Sequence, residues 1–247
     1  MTDVVKATAD MRERSNILKA AVYTGTSNLY PHMIPAVKSL LINSDVEKIY
    51  LLIEDDDFPF YLPDCVECIN VSDQTYFEPE SPNMKSQFTY MAMMRAALCH
   101  VLPHDLDRVL SLDVDTIVIE DISDLWNLPI DDCYFAAVKE PKRCIYNHYY
   151  TNIGVALYNL SRLRDGKADE AIALLNSERF EYLEQDVFNK VCRGNIYIMP
   201  PEYNVNRYTG NSMVRKIMHY ANMKQWEDRL EYIKYAAIPW SEIRGGI

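Results

Sequence analysis

Two aspartates separated by one residue, Asp113 and Asp115, are the strongest chemical signal in the chain. They lie within an apolar run, residues 108–119. Residues two apart in a strand point to the same face, so both carboxylates can present oxygens to one divalent cation. Without a cation the two negative charges repel each other. The same spacing also occurs in ordinary polar turns, so the pair alone leaves a metal site and a turn as alternatives.

Three further positions carry polar groups in apolar surroundings. Arg95 is the only charged residue between Lys85 and Asp105. Its guanidinium requires an anion, which is either a structural carboxylate or a phosphate held beside the metal. Asn152 precedes Gly154 in a strand-like run, where glycine either lets another group approach the backbone or forms a plain bulge. His219 follows a short apolar pair, and a lone histidine is more often a core or surface residue than a ligand, so both interpretations stay open here.

Three hydrogen-bonding side chains, Glu184, Gln185 and Asp186, stand in a row at the predicted start of a helix. Acids at that position interact favourably with the helix dipole, so capping explains part of the pattern. Three such groups together also suit recognition of a sugar. Both interpretations remain open from the residues alone.

Strand and helix patterns alternate along the chain, which predicts an α/β domain with a Rossmann-like sheet. Strands are predicted at 20–23, 48–53, 65–71, 108–119, 133–138, 152–158 and 196–199. Helices are predicted at 31–43, 84–101, 169–177 and 184–193. We interpret residues 1–247 as a single domain.

Composition excludes several classes of protein. The chain has 36 acidic and 25 basic residues and a net charge of -11, which argues against binding to nucleic acid. A negatively charged substrate therefore requires a metal or a local basic site. Residues 1–19 lack the apolar core of a secretion signal, and no run predicts a membrane span. Six cysteines without a disulfide framework favour a reducing compartment, so we predict a cytoplasmic protein.

Taken together, these segments resemble glycosyltransferase family 8 over about residues 18–226. The shared landmarks occur in the family's order along the chain. In the N-terminal half they are the turn 23–28 and the later segment 38–41, the helix with Arg95, and the Asp113–Asp115 motif followed by the segment 121–125. In the C-terminal half they are the strand from Asn152, the triplet 184–186, the pair 203–204, and His219 with Tyr220 and a following lysine.

This resemblance implies a GT-A fold with a mixed central sheet flanked by helices, and a UDP-sugar donor. It implies Mn²⁺ or Mg²⁺ held by Asp113, Asp115 and His219. Residues 205–247 would form a C-terminal segment closing over the donor. The implied donor-binding residues are Thr24, Gly25, Thr26 and Asn28 at the uridine, Arg95, Val114 and Lys224 near the diphosphate, and Asn152 at the sugar. Glu184, Gln185 and Asp186 are the candidate catalytic residues.

Three departures from the family's pattern stand out. Thr26 occupies a position where many relatives carry an acid. The common C-terminal pattern His-x-x-Gly-x-x-Lys-Pro-Trp is shortened here, with Asn222 for the glycine, Lys224 one residue early and Gln225 for the proline. Glu184 is one methylene longer than the aspartate of some relatives.

The predicted reaction moves a hexose, from UDP-galactose or UDP-glucose, to a saccharide or another hydroxyl acceptor with retention at the anomeric carbon. The departing diphosphate gains charge, which the cation and nearby basic groups stabilise. Gln185 is a poor nucleophile, so same-face attack is favoured over a covalent intermediate.

Two alternatives remain at this stage. A haloacid dehalogenase-type phosphohydrolase would use Asp113 as nucleophile, although its motif usually follows the first strand. A non-catalytic nucleotide-sugar-binding protein would keep the scaffold without turnover. The acceptor is undetermined: a carbohydrate, a lipid-linked sugar or a protein, with Tyr146, Tyr149, Tyr150 and Trp226 as stacking candidates. The mixed charge of the C-terminal tail supports peripheral membrane contact only weakly.

Overall fold

A mixed sheet of seven strands forms the centre of the protein. The computed structural model describes residues 17–86, 88–143, 149–209 and 212–244. The strands are β1 (Ala20–Thr24), β2 (Lys48–Ile53), β3 (Val66–Asn70), β4 (Arg108–Leu112), β5 (Thr116–Val118), β6 (Phe135–Lys139), β7 (Thr151–Asn159), β8 (Ile196–Met199) and β9 (Ile217–His219). The α-helices are α1 (Tyr30–Ile42), α2 (Tyr90–Met93), α3 (Leu98–Val101), α4 (Leu160–Leu163), α5 (Lys167–Ser177), α6 (Leu183–Val191) and α7 (Leu230–Ala237).

The strand order in the large sheet is β3-β2-β1-β4-β7-β6-β8, and β5 pairs with β9 in a separate two-stranded sheet. In the large sheet β7 runs antiparallel to its neighbours β4 and β6, whereas the other paired strands are parallel. The order reverses between β1 and β4, since β2 lies on one side of β1 and β4 on the other. In open α/β sheets the crevice outside such a reversal is the usual ligand site.

Alternating side chains of the strands fill two separate cores. Ala20 and Val22 of β1 face the core formed with the helical segment 90–101, α5 and α6, whereas Ala21 and Tyr23 face the core formed with α1. This alternation follows from the period of two in a strand. Each β1 side chain from Ala20 to Tyr23 is fully buried, as expected for a central strand covered by helices on both faces.

The α/β architecture predicted from the sequence is confirmed, with two local corrections. The predicted helix 84–101 begins only at Tyr90. Residues 82–85 form turns, and the Asn83 amide donates to the carbonyls of Leu175 and Glu178. The predicted strand 108–119 is broken between Leu112 and Thr116, because the carbonyl of Asp113 accepts hydrogen bonds from both the backbone and the side chain of Thr116.

The C-terminal residues return to the body of the domain after β9. Helix α7 packs on α1, where the Tyr235 hydroxyl accepts from Asn43 at 2.7 Å and Tyr232 pairs with His32 at 2.9 Å. Within the described ranges, no helix combines the length and the apolar character that crossing a membrane requires. The predictions for Tyr146 and for the chain ends, 1–16 and 245–247, lie outside the described residues.

Candidate active site

The two aspartates lie in the turn between β4 and β5, and β9 brings a histidine to them. Thr116 of β5 stands opposite His219 of β9 in the antiparallel pair. The imidazole Nε2 lies 3.3 Å from Asp113 Oδ2 and 3.4 Å from Asp115 Oδ1. One ligand atom from each of the three residues falls within 4.8 Å of the others. Two carboxylates and an imidazole therefore converge from segments about a hundred residues apart.

The surroundings of His219 fit a divalent cation. Its Nδ1 donates to Asn204 Oδ1 at 2.8 Å, which leaves the Nε2 lone pair for an ion on the side of the aspartates. Asn204 is itself held by Asn152, whose Oδ1 accepts from the Asn204 amide at 2.9 Å. An oriented imidazole with two carboxylates is a donor set that Mn²⁺ accepts readily, and Mg²⁺ also accepts it.

Electrostatics at this cluster show how strongly a positive charge is favoured. Burial lowers the pKa of His219, but the carboxylates of Asp115 and Asp113 outweigh it and raise the pKa to about 10. Burial raises the pKa of Asp113, yet Arg95 and His219 together hold it well below its ordinary value. In the absence of an ion, the proton on His219 thus supplies the charge that relieves the repulsion between the aspartates.

Gly154 of β7 permits the close approach of these groups. A Cβ at this position would lie 2.1 Å from Cε1 of His219 and 2.7 Å from Oδ2 of Asp113. The backbone carbonyl of Gly154 also accepts from the Asp113 amide at 2.8 Å. The pairing of β6 with β7 shifts register beside it, between Ala137 and Val138. Both sequence interpretations therefore apply: a bulge lies here, and another group packs against the backbone.

Arg95 bridges two carboxylates from different parts of the fold. Its guanidinium donates to Asp113 and to Glu184, and also to the carbonyl of Ile153 at 3.3 Å. Burial raises the pKa of Glu184 to about 7, even though Arg95 acts in the opposite direction. The sequence left a structural carboxylate and a phosphate as possible partners of Arg95. In the structure its partners are the carboxylates of Asp113 and Glu184.

A second hydrogen-bonded group links the start of α6 with the ends of β6 and β7. Glu140 Oε2 accepts from the amides of Asn152 at 3.2 Å and Gln185 at 3.4 Å. The same Gln185 amide donates to the Tyr150 hydroxyl at 3.0 Å. That hydroxyl in turn donates to Asp186. These contacts fix the side-chain amides of Asn152 and Gln185 in one orientation.

Helix α6 begins with a strained residue. Leu183 is buried and has a φ of 41°, a value that a bulky side chain rarely adopts. The next two residues, Glu184 and Gln185, both contact the groups just described. Strain of about 1–3 kcal/mol persists only where surrounding contacts enforce it, and it concentrates at functional sites.

A cleft of about 190 Å³ collects most of these groups. Seven of the predicted residues line it: Arg95, Asp113, Asp115, Asn152, Glu184, Gln185 and His219. Its other described walls are Phe88, Ala92, Glu140, Tyr182, Leu183, Tyr208, Ala221 and Asn222.

The other predicted site residues lie outside the walls of the cleft. Thr24 ends β1 and Gly25 follows it, at the sheet edge from which Asp113 emerges, because Tyr23 pairs with Leu112. The following residues, Thr26 and Asn28, are hydrogen-bonded to each other at 2.6 Å. Val114 is buried, Asp186 holds Tyr150 and the amide of Tyr182, and Lys224 is exposed in the turn after Asn222.

Sequence reasoning missed three polar residues of the site: Glu140, Asn204 and Asn206. Asn204 belongs to a landmark of the family resemblance, so a signal for it existed. Asn206 donates to Asn204 at 2.7 Å. Glu140 follows the end of β6, where an acid is otherwise typical of a solvated loop, and only its burial distinguishes it.

The seven-stranded mixed sheet, with the site at the point between β1 and β4 where the strand order reverses, is the fold of the GT-A glycosyltransferases. A solved structure of the galactosyltransferase LgtC, in complex with donor and acceptor sugar analogs, matches with a TM-score of 0.67 and 16% sequence identity. The match covers 92% of this chain and 100% of that one. At this identity the likeness concerns the fold alone.

The sequence establishes the family. The profile of glycosyl transferase family 8 matches residues 22–230, so the chain belongs to that family. A lipopolysaccharide 1,2-glucosyltransferase of Escherichia coli is 30% identical over 152 residues, 55% of this chain and 44% of that protein. The glycosyltransferase GlyE of Streptococcus pneumoniae is 25% identical over 202 residues, 76% of this chain and 48% of that protein. The chain spans about half the length of these curated relatives.

Proposed function

We propose that this protein is a metal-dependent, retaining glycosyltransferase that moves a hexose from a UDP-sugar to a saccharide or another hydroxyl acceptor. UDP-galactose and UDP-glucose are the proposed donors. The observation that carries the proposal is the convergence of Asp113, Asp115 and His219 within 4.8 Å in a chain of this family. The resemblance stated from the sequence had named these three residues as the ligands of the ion.

Asp113, Asp115 and His219 would hold Mn²⁺ or Mg²⁺. When bound, the ion would supply Lewis-acid charge at the diphosphate of the donor. Asn204 keeps the imidazole in the orientation that coordination needs, since it accepts the Nδ1 proton. Arg95 fixes Asp113 and Glu184 relative to each other and contributes positive charge beside the site.

The nucleotide would lie where β1 and β4 diverge. Thr24, Gly25, Thr26 and Asn28 would contact the uridine, and the backbone of Val114 would face the diphosphate. Lys224 would reach the diphosphate from the C-terminal segment, 205–247, as that segment closes over the donor. The exposure of Lys224 and Asn28 supports this role, because both side chains are free of the protein interior.

The sugar would contact Asn152, Gln185 and Glu184. Neither nearby carboxylate is a free nucleophile, because Glu184 is buried in an ion pair with Arg95 and Asp186 accepts from Tyr150 and the amide of Tyr182. This supports same-face attack over a covalent intermediate. A glycosyl adduct trapped on Glu184 or Asp186 would contradict it.

The acceptor remains a proposal at the level of class: a carbohydrate, a lipid-linked sugar or a protein hydroxyl. The cytoplasm is the proposed compartment, on the reasoning from the cysteine pattern. Among the candidate stacking residues, Trp226 packs against His32 and Tyr232, with ring centroids 4.9 and 5.0 Å away. This packing favours a structural role for Trp226.

Titration of UDP with and without Mn²⁺, followed by donor hydrolysis across a panel of UDP-sugars, tests the proposal. We expect Mn²⁺-dependent binding and release of UDP. Binding without hydrolysis or transfer would identify the non-catalytic alternative. Release of inorganic phosphate from phosphate monoesters would identify the phosphohydrolase, which the position of Asp113 after the fourth strand already disfavours.

A further inference from the structure

Glu140 is a buried carboxylate in the wall of the cleft that the reaction proposed above does not use. Glu140 is the residue directly after β6, and only 4% of its surface is exposed. Acidic residues are almost never buried to this degree unless they are paired. The position therefore needs an explanation beyond an ordinary loop acid.

Three groups hold this carboxylate in place. Oε1 pairs with Arg143 Nε at 3.1 Å, and Oε2 accepts from the amides of Asn152 and Gln185. The backbone amide of Glu140 donates to the carbonyl of Tyr150 at 3.0 Å, which fixes the start of its loop. Glu140 therefore cannot turn away from the cleft without breaking its contacts with two buried amides and a guanidinium.

Arg143 is anchored on its other side by the segment before α6. Its guanidinium lies over the ring of Tyr182, 3.6 Å from the centroid, and within 3.7 Å of carboxylate oxygens of Glu181 and Asp186. Stacking and charge together hold the guanidinium behind Glu140. Arg143 itself is not part of the described cleft wall.

The cleft wall has little positive charge to offer an anionic sugar. Among the described lining residues, Arg95 is the only lysine or arginine, and it is already paired with Asp113 and Glu184. Asp113 and Asp115 would be balanced by a divalent ion, and Glu184 is balanced by Arg95. Glu140 shares the single guanidinium of Arg143 with Glu181 and Asp186, so these three carboxylates keep a net negative charge that a sugar carboxylate would meet. Two like charges in a partly buried site repel strongly.

We propose that Glu140 is a specificity-determining residue that restricts the donor to uncharged hexoses and excludes hexuronates, with Arg143 as its positioning residue. An uncharged hexose can donate a hydroxyl to the carboxylate, whereas a hexuronate places a second carboxylate in the same cleft. This mechanism of selection works by repulsion of the wrong substrate. It rests on the function proposed above, because it concerns the donor of that reaction.

The test compares donors that differ only at C6 of the sugar: UDP-glucose with UDP-glucuronate, and UDP-galactose with UDP-galacturonate. Hydrolysis with Mn²⁺ gives kcat/KM for each donor. In the wild-type protein we expect kcat/KM for the preferred UDP-hexose to exceed kcat/KM for the corresponding UDP-uronate by about 100-fold or more. This is the size expected of one close charge repulsion. Glu140→Gln should reduce this ratio by at least about tenfold.

Three variants separate selection from structural damage. Glu140→Asp keeps the charge and should retain the discrimination. Arg143→Lys keeps the positive charge but loses the flat contact with Tyr182, so KM should rise for both donors while their ratio is retained. Glu178→Gln is the matched control, because Glu178 forms an exposed pair with Lys190 at 2.8 Å, and it should behave as wild type.

The outcomes are distinguishable. Equal use of a hexose and its uronate by the wild type overturns the inference and leaves the proposed function standing. An unchanged ratio in a folded Glu140→Gln variant also overturns it. Failure of the wild type to bind or consume any UDP-sugar overturns the proposed function, and the inference with it.

Discussion

Replacing Gly154 with alanine should disrupt the cation site without removing any ligand. The added Cβ would lie 2.1 Å from Cε1 and 2.8 Å from Nδ1 of His219. Carbon atoms in contact are separated by about 3.5 Å, so the imidazole must retreat by more than about 1 Å. Metal-ligand distances tolerate deviations of about 0.2 Å, so the ring cannot keep its place as a ligand.

Both binding and stability should respond. We expect Mn²⁺-dependent UDP binding, measured by calorimetry, to weaken by about 10–100-fold or more, the range known for lost orientation of a metal ligand. Overpacking typically costs about 1–3 kcal/mol. For a domain of this size each kcal/mol lowers Tm by about 2–4 °C, which thermal unfolding without metal would measure.

A double-mutant cycle with His219→Ala provides the control. Removing the ring removes the contacts at 2.1 and 2.8 Å and leaves only that with Asp113 Oδ2 at 2.7 Å, so the stability cost of Gly154→Ala should fall in that background. The expected coupling is about 0.5–3 kcal/mol. Wild-type affinity for Mn²⁺ and UDP in Gly154→Ala would refute the reasoning. So would an equal cost of the substitution in both backgrounds.

Further substitutions test the ligands and the C-terminal turn. Asp115→Asn should weaken Mn²⁺-dependent UDP binding and abolish transfer while Tm stays near that of the wild type; unchanged turnover would remove the proposed site. His219→Ala should lower affinity by about 10–100-fold and still bind, because both carboxylates remain; a loss equal to that of Asp115→Asn would contradict this ranking. Gln225→Pro should destabilise by more than about 1 kcal/mol, since proline cannot adopt the φ of 55° found there. Gln225→Gly is its control in thermal unfolding, and a tolerated proline would show that the turn differs.

Asn222 lies in the same C-terminal turn as Gln225 and replaces the glycine of the family pattern. Its φ of 56° is one that glycine adopts freely and asparagine tolerates. Its side chain adds a hydrogen bond to the Tyr208 hydroxyl at 2.9 Å. The shortened turn thus uses left-handed backbone at both Asn222 and Gln225.

Elements with strong local patterns could be predicted from the sequence. The predicted bounds of β2 and β8 agree with the structure, and α1 differs by one residue at each end. The break after Leu112 was missed, because it depends on Thr116 bonding back to Asp113. The late start of α2 was missed for a similar reason, since Asn83 is bound to residues more than ninety positions away.

The site was only partly predictable, and the reason is again long-range contact. Spacing alone indicated the aspartates, whereas His219 entered through the family resemblance. The nearby Arg143 would suit a solvated acid equally well, and the two amides that bind Glu140 inside the protein lie on β7 and α6, so local sequence does not distinguish it. Arg95 requires an anion on any reading of the sequence, but which anion depends on where α6 begins.

The pairing of β5 with β9 has a consequence for the order in which the molecule is completed. Both aspartates leave the ribosome about a hundred residues before the imidazole that joins them. Contacts between such distant residues require closure of a long loop and form late. A nascent or truncated chain ending before β9 would therefore hold two acids without their third partner. Tight retention of a metal ion would thus mark a chain in which β9 has been made and has paired with β5.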